Sequence, residues 1–138
     1  MAAGPAAHAA LGGDTASIEA DRAYFAARSS TTAMGGRTVH LLTLTNGTVV
    51  REFARADGMV FAVTWRGPAR PDLRQLLGPG FDVLQADNVL AGGRRTHRPL
   101  SVRRADLAVS SGGHSGAFWG LAYRPTLAPP GFSLRNLS

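Results

Sequence analysis

The sequence predicts an α+β fold: one small domain with an antiparallel sheet of about five hairpin-linked strands, covered by one to three short helices. Three observations lead there. Residues 37–66, RTVHLLTLTNGTVVREFARADGMVFAVTWR, contain three strand-like runs separated by Asn46-Gly47 and Asp57-Gly58. Both dipeptides accept the positive φ that tight hairpin turns need. After them come a leucine stripe at helical spacing and a late aromatic run, AFWGLAY, with strand alternation.

From the front, residues 1–10, MAAGPAAHAA, hold no acidic or basic side chain except His8. Ala7-His8-Ala9 fits the small-x-small pattern of a signal-peptidase site, yet no Arg or Lys precedes it and no apolar h-region of about 7–15 residues is present. Residues 1–9 therefore read either as the remnant of a signal peptide or as a disordered alanine-rich tail, with 10–138 as the domain. Ser17 is placed to cap a short helix, SIEADRAYFAAR, with Glu19 and Asp21 near the positive end of its macrodipole. Ile18, Arg22 and Phe25 share one face of it. Residues 29–36, SSTTAMGG, read as a polar linker.

In the central hairpins Val, Thr, Phe and Trp dominate the flanks, side chains that fit a pleated surface. Met59, Phe61, Val63 and Trp65 are large and apolar at alternating positions, which assigns them to one core face. The register of the first hairpin stays open. A two-residue loop pairs Leu42 with Arg51, and a bulged loop pairs Thr43 with it. Gly67-Pro68-Ala69-Arg70-Pro71 breaks the third strand, and Pro71 suits the first turn of a helix whose apolar face is Leu73, Leu76 and Leu77. Gly78-Pro79-Gly80 stops or kinks it, and helix resumes over FDVLQADNVL. AGGRRTHRP is a loop, Val102-Arg103 an edge strand, and 107–110 a further strand. Ser111-Gly112-Gly113-His114 reads as a connection into AFWGLAY, where Trp119, Leu121 and Tyr123 face one way and Phe118, Gly120 and Ala122 the other. Gly120 leaves room for close packing. The tail with PPGF is extended or turn-like.

A chain of 138 residues, 44% hydrophobic, fits one domain. At this size folding removes roughly 68–70% of the unfolded surface from water, enough for a core without covalent staples. The absence of cysteine excludes disulfides, thiolate zinc sites and a cysteine nucleophile. No apolar run reaches the roughly 20 residues of a membrane-spanning helix. The net charge is +6, and all 15 basic residues are arginine. That balance gives a tendency to bind anions through the overall field.

VHLLTLTNGTVVREF, ADGMVFAVTWRGPARPDLRQLLG and DLAVSSGGHSGAFWGLAYRP resemble the proteobacterial domain-of-unknown-function family 2844 (DUF2844). So does the Ala10-Leu11-Gly12-Gly13 start after a small-x-small site. The resemblance runs from Ala10 to about Pro130 and is most specific in GPARPDLRQLLG and in SGGH with its aromatic strand. It implies a small exported protein, periplasmic or secreted, of a kind that carries a complete signal peptide. It implies no activity, substrate or cofactor.

Four constellations compete with blander readings. Gly113-His114-Ser115-Gly116-Ala117 approaches the G-x-S-x-G nucleophile elbow, which works as a strand-to-helix turn. Here Ala117 closes the motif and a strand follows, so a glycine-rich hairpin is expected. A small hydrolase using His114 and Ser115 is the alternative. His8, His40, His97 and His114 show no metal-ligand spacing, and neither metal nor cofactor is expected. Arg94, Arg95, His97, Arg98, Arg103 and Arg104 concentrate positive charge where a polyanion can dock, against the reading of a solvated loop and a charged sheet edge. Trp65 and Trp119, with Tyr123, Phe53 and Phe61, suit either a carbohydrate-stacking surface or the core. Together these point to an exported, non-enzymatic binding or accessory module. Its expected partner is another envelope protein or an anionic ligand, and sequence-specific nucleic-acid recognition lacks a reading helix.

Overall fold

The computed structural model describes residues 11–90, 100–114, 116–129 and 132. Its frame is one antiparallel sheet of seven strands. These are β1 (Arg28–Met34), β2 (Arg37–Thr43), β3 (Val49–Arg55), β4 (Val60–Gly67), β5 (Leu100–Arg103), β6 (Ala108–His114) and β7 (Ala117–Tyr123), in spatial order β1-β2-β3-β4-β7-β6-β5. Three helices, α1 (Thr15–Phe25), α2 (Leu73–Leu77) and α3 (Pro79–Leu90), complete the α+β domain. The expected five strands become seven. Residues read as a linker form β1, which turns at Gly35 and Gly36, both at positive φ, and pairs with all of β2. Residues 111–114, read as a connection, continue β6 down to the His114–Ala117 pair.

Both central hairpins use the same turn. Leu44 N–H donates to the Thr48 carbonyl, and Arg55 N–H to the Met59 carbonyl, each closing a three-residue loop that ends in a positive-φ glycine, Gly47 or Gly58. Asn46 and Asp57 fix these loops by accepting the N–H groups of Thr48 and Met59 through their side chains. The first register matches neither expectation: Arg51 pairs with Leu41. In the second ladder the register shifts between Phe53 and Ala54, a β-bulge that breaks the expected alternation. Val63 and Trp65 stay on the helix side, while Phe61 joins Phe53 and Ala62 on the opposite side.

The helices cover one face of the sheet. Leu42, Val50, Val60, Val63 and Trp65 from the strands meet Ile18, Leu73, Leu76, Leu77 and Leu84 there, all essentially excluded from water. Gly120 has the packing role its lack of a side chain allows. A Cβ at Gly120 would lie 2.1 Å from Cζ2 of Trp65, so the indole rests directly on the β7 backbone. Helix α1 begins earlier than Ser17. Asp14 is its cap, accepting from Ala16 and Ser17 N–H at 3.0 and 3.2 Å. That start turns Asp21 inward with Ser17 and Ile18, while Arg22 pairs outward with Glu19. Pro71 lies before α2 rather than in its first turn, because Asp72 caps the helix at Leu73. Gly78, at φ 55, ends α2, and Pro79 opens α3 two residues ahead of the expected start.

Candidate functional site: an arginine-lined sheet face

Among the described residues, the other face of the sheet is covered at one end. Leu127, Ala128 and Phe132 cross Phe53, Phe61, Val39, Leu121 and Tyr123, with Phe132 edge-on to Phe61 at 4.9 Å. Beyond that end Arg28, Thr43, Arg51, Arg66, Ser101 and Trp119 are exposed, with Thr64 buried between them. Antiparallel registers put directly opposed residues on the same face, and that rule sorts the charge. All six arginines within strands, Arg28, Arg37, Arg51, Arg55, Arg66 and Arg103, belong to the registers of this open face. The only carboxylate within a strand, Glu52, belongs to the helix-covered face. The other eight of the nine acidic residues sit on helices, turns and loops.

Two of the six are engaged at the covered end. Arg55 pairs with Asp57, holding that carboxyl down at about 2, and donates to the Leu127 carbonyl. Arg37 lies 5.9 Å from the Phe132 ring centre. Arg28, Arg51, Arg66 and Arg103 are exposed and have no ion pair among the described residues. Trp119 lies on the same face, directly opposite Arg66 on one side and Gly112 on the other. A Cβ at Gly112 would meet Cζ2, Cε2 and Nε1 of Trp119 at 3.0, 3.2 and 3.3 Å. The indole therefore lies across β6 and is 39% exposed. The adjoining row runs Leu41, Arg51, Thr64, Leu121, Ser110, Ser101. This arrangement can bind an extended anion.

Among the residues singled out from sequence, Trp119, Arg103 and His114 belong to the registers of this face, and Phe53, Phe61 and Tyr123 lie at its covered end. Trp65 is 2% exposed beneath the helices, out of reach of any ligand. Arg104 reaches back to α3, where it donates to Asp87 at 2.6 and 3.1 Å and lowers the pKa of that carboxyl. Phe53 and Phe61 are buried, and Tyr123 is half-buried against Phe132. His114 ends β6, exposed and paired in register with Ala117, so a strand-to-strand hairpin occupies the place a nucleophile elbow would need for a helix. Ser115, Arg94, Arg95, His97 and Arg98 lie outside the described residues.

Sequence reasoning missed two things. Arg28, Arg51 and Arg66 share a face only once the registers are known, and none is close to another in the chain. It also missed Glu52, which shares its face with buried Val50 and Ala54. There burial and the neighbouring Asp21 charge push the Glu52 carboxyl up to about 10, and Asp21 accepts from Gln75 Nε2 at 2.7 Å. Both acids are fully buried, so the pair is structural and no solute reaches it. Elsewhere a shallow groove of about 470 Å³ is lined by Leu11, Met59, Pro79 and Leu127, with Arg124 its sole ionisable group. Among the described residues no group of three or more His, Asp or Glu is placed to hold a metal, and no helix is long and apolar enough to cross a membrane.

Comparison with known proteins gives one result. A family model described as a protein of unknown function, DUF2844, matches residues 7–137. No curated protein and no solved structure matches the chain.

Proposed function

We propose an exported, non-enzymatic binding role for this chain, which belongs to the DUF2844 family. Its open sheet face takes an anionic partner. One observation carries the reading: among the described residues every strand arginine lies on one face and no strand carboxylate does. A solvated surface chosen only for solubility mixes both signs, as the helix side does with Arg22–Glu19, Arg74–Asp82 and Arg104–Asp87. Four guanidinium groups with no ion pair among the described residues instead sum to a positive field and offer forked donors to carboxylates, sulfates or phosphates. Export is supported by the small-x-small site at Ala7-His8-Ala9 and is tested by fractionating cells that express the gene with its upstream region; cytosolic protein alone rejects it.

Two triple variants of equal charge test the binding face. Arg28→Ser/Arg51→Ser/Arg66→Ser removes three of its four exposed arginines, and Arg22→Ser/Arg74→Ser/Arg104→Ser removes three arginines that already have carboxylate partners. On a dextran sulfate resin the first triple is expected to elute at much lower salt than the parent, and the second close to it. Equal losses would mean that net charge alone does the binding.

A further inference from the structure

Resting on that reading of the open face, we propose that its ligand is a polymer of acidic sugars, with one pyranose ring seated on Trp119 and neighbouring carboxylates held by Arg66 and Arg51. The seat is built by Gly112. Because that residue has no side chain, the indole settles on the β6 backbone, with its atoms 3.0–3.3 Å from where a Cβ would stand. One face of the ring is thus against the sheet and the other is turned outward. The outward π-face is electron-rich, and the CH-bearing face of a pyranose is apolar and weakly positive, so the two match as flat surfaces.

The surroundings suit the rest of such a polymer. Arg66 is directly across from Trp119, and Arg51 is one strand further on, opposite Thr64. Strand spacing puts successive positions about 4.8 Å apart, so the charges are spread along a track and not focused on one point. A chain anion engages several of them together, whereas a small anion engages one. Thr43 and Ser101, both exposed, and half-buried Ser110 lie in the same registers and can exchange hydrogen bonds with sugar hydroxyls.

Two other polyanions fit less well. A bilayer is entered by side chains that project, and here Leu41 and Leu121 are half-buried in the sheet while the indole lies flat on it. Single-stranded nucleic acid stacks successive bases on successive aromatics. Trp119 is the only aromatic described on this face as exposed.

Calorimetric titration separates the possibilities, using polygalacturonate oligomers, linear polyphosphate (anionic but without rings) and oligo(dT). Polygalacturonate is expected to bind. Trp119→Ala should weaken it about tenfold, Trp119→Tyr should restore most of the loss, and neither change should alter polyphosphate binding. Arg51→Ser/Arg66→Ser should weaken both ligands, with circular dichroism confirming the fold of each variant. If Trp119→Ala leaves polygalacturonate unchanged, or weakens both polymers equally, the sugar seat is wrong and the anion-binding face stands. Polyphosphate binding without polygalacturonate binding likewise overturns the seat and leaves the face standing. Tighter, Trp119-dependent binding of oligo(dT) replaces the sugar with nucleic acid. No binding of any of the three overturns the sugar seat and the anion-binding reading together.

Discussion

Asp21 and Glu52 face each other in the core because α1 lays its inward side over β3, and two adjacent buried carboxyls cannot both ionise. Burial first, then the neighbouring Asp21 charge, pushes Glu52 up to about 10. The unfolded chain releases that proton near the ordinary glutamic acid value, while the folded chain keeps it. The contribution is therefore complete below about pH 4.3 and declines towards pH 10, by up to about 1.4 kcal/mol per pH unit. His40, opposite Glu52 on β2, acts in the other direction. Burial lowers its pKa, so its contribution falls as pH drops through about 6.5. Urea midpoints measured between pH 5 and 9 should thus fall on the alkaline side. Glu52→Gln, whose amide can donate to Asp21, should flatten that fall. A variant that keeps the parent slope would assign the proton to another group.

At the scale of elements, the two indoles show how a glycine and a tryptophan on paired strands make one packing unit. Trp65 fills the space over Gly120 on the helix side. Gly120→Ala puts a methyl 2.1 Å from its ring and is expected to cost about 2–3 kcal/mol, read from chemical denaturation. The turns make a smaller contribution. Gly47, at φ 93, closes the first hairpin, and Gly47→Ala should cost about 1 kcal/mol, with a thermal midpoint lowered by several degrees. A neutral result at Gly47 would mean that the loop relaxes to another turn type. Much of this level was legible in the sequence. Asn-Gly and Asp-Gly announced the hairpins, and Gly78-Pro79-Gly80 announced the break between α2 and α3. β1 was not legible: RSSTTAM lacks apolar alternation, because an edge strand is defined by its partner more than by its own side chains. Phe61 was assigned to the wrong face because a bulge shifts the parity of everything on one side of it, and no residue of 53–62 signals the extra step.

Over the whole molecule, the sheet works as a charge separator. Period-two alternation sends arginines at positions as distant as 28 and 103 to one side, and the seven-strand order spreads them across that face. This sorting was hidden in the sequence for a physical reason: it exists only when every register is fixed, and a slip of one residue in any ladder would move that strand's arginines to the other face. Surface attraction of this kind is screened by salt, so affinity for a polyanion should fall steeply between low and physiological ionic strength. Binding indifferent to salt would point to the half-buried apolar residues instead. The most direct test is amide chemical-shift mapping of the isotope-labelled protein titrated with dextran sulfate oligomers. The expected result is a contiguous set of shifts at Arg51, Thr64, Arg66, Trp119 and Leu121, including the Trp119 indole N–H, with α1 and α3 unmoved. Shifts centred on the helices or on residues 94–98, with the open face silent, would contradict it.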